Sequence, residues 1–257
     1  SKNRNVPVVG LVFAFGLADA ADYAGAAGLI PENLGWCAAL SLVTIMISLI
    51  GGRIIPSFTR NWMVKQRAPE KLPTQPQPLD LLVVASTAIG FLFWLGFPDS
   101  QLTGAILILA AAAQFLRLSR WGGLRTGRDP LVLILHLGYV WVPIGLLLRG
   151  MSVAGVNIPQ SAGVHALTAG AMTTMILAVM SRASLGHTAR ELKAAPMTVA
   201  AYACVTIGAS LRVAASLGVG SYSIMLNIAG ALWGAALLLF LVVYVPILWL
   251  PRLGEQR

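Results

Sequence analysis

The chain has 257 residues, of which 57% are hydrophobic and 11% charged, and its 18 Lys and Arg against nine Asp and Glu give a formal net charge of +9. Soluble domains carry about a quarter charged residues, so a water-soluble globular domain of this composition is excluded. The cations are spread over short connecting segments without interleaved aromatic residues, which excludes a nucleic-acid platform.

In lipid every backbone N–H and C=O needs an internal partner, so spanning segments are helices or closed barrels. The apolar runs here are continuous rather than alternating, which selects helices. Against the roughly 20 helical residues that cross a bilayer core of about 30 Å, the sequence predicts an all-α polytopic bundle of eight spans. They cover 6–28, 33–55, 79–97, 102–118, 130–148, 163–181, 196–217 and 223–250.

The first span follows the basic segment SKNRN and runs past signal-peptide length without a small-residue cleavage site, so it reads as a retained span. It carries Asp19 and Asp22, three apart and therefore on one helix face. Two readings stay open for them. The span ends near Ala18 and both lie in the interface, or they form an in-membrane site partnered by Arg212, in the outer half of the seventh span at similar depth. The second span leads into the longest loop, 60–78, which contains the Pro-rich polar stretch APEKLPTQPQP and is expected to be extended. The chain is thereby organised as a two-span part (1–59), a linker (60–78) and a six-span part (79–257), with no loop long enough for a soluble domain.

His136 lies about six residues, or about 9 Å, inside the fifth span. His165 starts the sixth span from the outer side. Their depths differ by about 20 Å in a core of about 30 Å, so the two do not ligate one metal ion, whose imidazoles lie within about 2 Å of it. His187, in the inner loop after the sixth span, is within reach of His136 but not of His165. Each lone His also has a plain reading as a hydrogen-bonded packing residue. Met172, Met175 and Met180 follow His165 and are either soft ligands for copper or haem or core filler. In SRASLGHTAR, Arg182 suits a helix C-terminus and Gly186 a C-cap. Small residues at helical spacing, namely Gly230 with Gly234, and Ala166, Ala169, Gly170 and Thr173, suit close helix packing. Cys37 and Cys204 fall inside apolar runs with no CxxC spacing and read as small hydrophobes. No P-loop, GxSxG or HExxH motif is present.

The connecting segments give an independent check on the count of spans. With eight crossings, every Lys and Arg except Arg149 and Arg212 falls on one side. The positive-inside rule makes that side cytoplasmic and places both termini there.

Three strings carry a family resemblance: GGRIIPSFTRN (Gly51–Asn61), RDPLVLILHLGYVWVPIGLLLRG (Arg128–Gly150) and HALTAGAMTTMILAVMSRASLGHTAR (His165–Arg190). Together they resemble the NnrS family of bacterial membrane proteins, and the similarity runs through most of the chain. The resemblance implies a multi-pass protein of the bacterial inner membrane. It also implies association with haem and copper, and a role in denitrification, nitric oxide metabolism and nitrosative-stress resistance. By motif position it implies functional roles for His136, His165 and His187, and for Arg53, Arg60, Arg182 and Arg190. Family members have about twelve spans. On that comparison about four N-terminal spans with a His-rich motif have no counterpart here, so His165 is expected as a half-site completed by those spans or by another membrane chain. Asp19 and Asp22 also depart from the expected family sequence.

Two further functional readings stay open beside this one. A small-solute or metal-ion transporter would use Asp19, Asp22 and Arg212, with Pro143 and Pro246 breaking helices. A non-catalytic subunit would pack against other membrane chains.

Overall fold

The structure is a computed structural model that describes residues 6–67, 72–73 and 77–254. Of the cations expected on the inner side, Lys2, Arg4, Lys71 and Arg257 lie outside the described residues, as does most of APEKLPTQPQP.

Among the described residues, eight helices are long and apolar enough to cross a membrane. They are α1 (Val6–Ala26), α2 (Leu34–Lys65), α3 (Pro78–Gly96), α4 (Gln101–Ser119), α5 (Pro130–Val153), α6 (Gln160–His187), α7 (Pro196–Ser216) and α8 (Tyr222–Trp249). The protein is an all-α polytopic membrane bundle. Because the helices alternate in direction, the bundle has a basic end, where α2, α4 and α6 finish, and an opposite end, where they begin.

Local signals start the helices. Pro78, Pro130 and Pro196 each stand in a first turn, where a missing N–H costs nothing. The Asp129 side chain accepts from the N–H of Leu131, and Ser100 accepts from that of Leu102. Gln77 and Asp80 form a reciprocal capping box at the start of α3.

Three helices outrun the expected spans, each because the extra turns are packed. α2 continues through Pro56 to Lys65, since Ile55, Thr59 and Met63 form a buried i, i+4 stripe. α5 continues to Val153, where its Gly150 meets α4: a Cβ on Gly104 would lie 2.9 Å from the Gly150 carbonyl oxygen. α6 continues to His187 with Ser184 and Leu185 buried. Gly186 is therefore inside the helix and is not its cap. The left-handed residue is Ala189, with φ +56°. The N–H groups of Ala189 and Arg190 return to the carbonyls of Gly186 and Leu185, which is a Schellman closure built on alanine. Pro143 and Pro246 sit inside continuous helices and break neither.

The core has two apolar centres. One lies toward the basic end around Ile55, Trp121, Leu135, Tyr139, Tyr202 and Tyr244. The other lies toward the opposite end around Leu40, Phe91, Trp141, Leu146 and Leu167. α5 contributes to both and is the central helix, 67% buried over its most apolar window, against 11% for α1 and 17% for α8. α1 packs on α2, and α8 packs on α7. Their outward Phe13, Tyr23, Leu238 and Val242 are exposed side chains of the kind that hydrocarbon solvates.

The small-residue expectations divide. Gly170 lies against Trp141, where a Cβ would come within 2.5 Å of the indole, and Ala166 is fully buried. Gly230 and Gly234 are exposed, and a Cβ on either would meet nothing within 4 Å. The GxxxG stripe of α8 is thus not a helix contact within this chain.

Candidate functional site

Among the described residues, three polar centres are built around Arg117, His136 and His165. The largest crosses between α2, α3, α4 and α5 and runs from the basic end to mid-bundle. Arg117 near the end of α4 is buried. Its Nε donates to Asp80 Oδ1 at 2.7 Å, and one Nη donates to the Ser48 carbonyl at 2.9 Å and to the Ser48 and Tyr139 hydroxyls at 3.1 Å. The other carboxylate oxygen of Asp80 accepts the Gln77 N–H at 2.8 Å, so one carboxylate both caps α3 and balances Arg117.

Gln114, one turn back on α4, is fully buried and fully used. Its amide nitrogen donates to Ser48 at 2.7 Å and Thr87 at 2.9 Å, and its oxygen accepts from Tyr139 at 2.7 Å. Ser48 already accepts from Gln114 and Arg117, so its own proton goes to Tyr139, 3.2 Å away. Apart from the Asp80 cap of α3, each of these hydrogen bonds joins different helices within the buried interior, which makes the network a fastener of the bundle.

His136 belongs to a second, smaller centre. Its Nε2 meets Thr59 Oγ1 at 2.9 Å, while Thr59 donates its single proton to the Ile55 carbonyl at 2.9 Å. The imidazole is therefore the donor at Nε2, and Nδ1 is left as an unpartnered buried acceptor against Gly123. His136 ties α5 to α2 and to the turn after α4. His187 is exposed at the end of α6.

The third centre lies toward the opposite end. His165 stands where α6 changes from α-helical to a seven-residue π-helical stretch, Ala166–Met172. Its Nε2 bonds to an Nη of Arg212, whose other Nη donates to Ser216 at 3.0 Å. Arginine only donates, so His165 is the acceptor there and is neutral, with its proton on Nδ1. His165 and Arg212 line a cavity of about 290 Å³ with Thr168, Gly208, Gly230 and Trp233. The Trp233 indole N–H is buried there without a partner. π-Helical turns recur at functional sites because they break the side-chain register of a helix. Here Met172, seven residues after His165, lines a different groove with Ile47, Ile54 and Met180. An unbroken α-helix would bring residues seven apart onto nearly one face.

The family model described as NnrS protein matches residues 1–252. The chain belongs to the NnrS family. No curated protein and no solved structure matches it. The NnrS match takes in α1, including Asp19 and Asp22.

Among the residues that the NnrS resemblance pointed to, Arg182 is half-buried with its guanidinium 4.1 Å from the Phe58 ring centre. It lines a cavity of about 400 Å³ at the basic end with Lys65, Arg128, Lys193, Asp129 and Glu191. Arg190 follows the Schellman turn, and one of its Nη groups is buried without a partner. Arg60 is half-buried and Arg53 exposed, both on α2. Asp19 and Asp22 are exposed on α1, away from Arg212, whose polar partners are His165 and Ser216. Sequence reasoning missed Asp80, Arg117, Gln114 and Tyr139. Asp80 and Arg117 fall just inside the expected spans 79–97 and 102–118, and an Asp and an Arg just inside the same end of two consecutive helices is itself a pairing signal.

Proposed function

We propose that this NnrS protein binds haem in a bacterial cytoplasmic membrane and acts in nitric oxide or nitrosative-stress metabolism, with its basic end and both termini on the cytoplasmic side. The observation that carries the site assignment is the position of His165 on a cavity at the start of a π-helical stretch. Of the three histidines it alone lines one of the cavities described above: His136 is bonded to Thr59, and His187 is exposed at a helix end.

The residues present fit a haem, which His165 would hold through its imidazole. Ligation through Nε2 requires Arg212 to give up its hydrogen bond, and the freed guanidinium then suits a carboxylate such as a haem propionate. The cavity of about 290 Å³ is at the small end for a ligand pocket, about 300–1,000 Å³. Held by His165, a haem would supply the chemistry for binding a diatomic such as nitric oxide. Copper, the second metal of the family reading, calls for soft ligands, and Met172 faces another groove.

The test is the absorption spectrum of the purified protein, oxidised, reduced and exposed to nitric oxide. A Soret band that shifts with nitric oxide is expected in the wild type and is expected to be lost in His165→Ala. A colourless wild-type protein without haem rejects the proposal, and an unchanged spectrum in His165→Ala rejects the ligand assignment.

A further inference from the structure

Arg149 is the odd member among the buried arginines. It sits near the end of α5, 4% exposed, and both its Nε and one Nη are buried without a hydrogen-bond partner. Arg117 and Arg212, by contrast, each have acceptors. The Arg149 guanidinium lies 4.8 Å from the ring centre of Trp94, but an aromatic face offers no in-plane acceptor for N–H groups. A buried cation with unpaired donors has lost its hydration and gained little in return.

Arg149 lines a cavity of about 430 Å³ at the end of the bundle opposite the basic end. The wall includes Trp36 and Trp94, edge to face at 6.1 Å, with Cys37, Gln160 and Asp99. Asp99 shares the wall but forms no ion pair with Arg149. The backbone at Arg149 is packed closely on α6: a Cβ on Gly163 would lie 2.8–3.0 Å from its N, Cα and Cβ.

We propose that this cavity binds an anionic oxygen group, a carboxylate or oxyanion, with Arg149 as its cation and Gln160 as a neutral donor at the rim. The anion supplies the acceptors that the chain withholds from Arg149. Asp99 weakens binding by repulsion and keeps the cavity empty when the anion is scarce. A free small anion and a lipid phosphate present the same chemistry to this site.

The full chain in nanodiscs distinguishes the two sources. Formate and inorganic phosphate are titrated at constant ionic strength in phosphatidylcholine discs, read by tryptophan fluorescence and thermal unfolding. A parallel arm compares phosphatidylglycerol with phosphatidylcholine discs in the absence of added anion. A saturable response lost in Arg149→Gln supports the site: in the first arm as a free-anion site, in the second arm alone as a lipid-phosphate site. Asp99→Asn is expected to lower the midpoint about fivefold by removing one like charge. Equal responses in wild type and Arg149→Gln, or none in either arm, overturn the proposal. If Arg149→Gln does not fold, Asp99→Asn decides, and an unchanged midpoint overturns it.

Discussion

Gly52 of α2 lies so close under the Arg117 guanidinium that a Cβ at that position would stand 1.8 Å from one Nη. The neighbouring Gly51 has the same relation to Tyr139, with a Cβ 2.9 Å from its ring. The polar network therefore depends on two absent side chains as much as on those present.

Gly52→Ala is accordingly expected to expel the guanidinium. Arg117 is long and able to move, but moving it breaks its bonds to Asp80, Ser48 and Tyr139 at once. The expected loss is about 3–5 kcal/mol, the range for a disrupted buried pair. It is read as a fall in unfolding temperature in detergent, and a shift no larger than that of Gly186→Ala, at an open position, counts against the role of the network.

Asp80→Ala removes one partner from a buried pair and leaves Arg117 uncompensated, again a loss of about 3–5 kcal/mol. The double substitution Asp80→Ala with Arg117→Met removes the orphaned charge and is expected to recover part of that loss. A double-mutant cycle measures the coupling; additive effects would mean that the two side chains do not act as a pair.

Ala189→Gly is expected to stabilise the protein. Alanine holds a left-handed conformation there at φ +56°, which costs an L-residue about 1–2 kcal/mol. Glycine removes that cost but carries more backbone entropy in the unfolded chain, so the expected gain is about 0.5–1 kcal/mol. Thermal unfolding of the variant beside wild type checks the sign.

Met172→Leu is expected to leave any haem spectrum unchanged, because Met172 lines the groove beside α2 and not the His165 cavity. A change as large as that of His165→Ala would mean that the π-helical stretch does not separate the two side chains.

The sequence by itself determined the solvent, the number of crossings and which end carries the cations, because these follow from the length and composition of each segment. It also placed the family, through three strings spread over the chain. Distances between helices are not encoded in this way. The tertiary structure alone decided that Arg117 meets Asp80, that Arg212 bonds to His165 and not to Asp19 or Asp22, and that His136 is held by Thr59. Periodicity also assumes an unbroken α-helix, and the seven π-helical residues after His165 end that assumption. The physical reason is common to both: local sequence sets how a segment meets lipid, whereas buried polar groups are satisfied by partners on other helices, which only packing brings within hydrogen-bond reach.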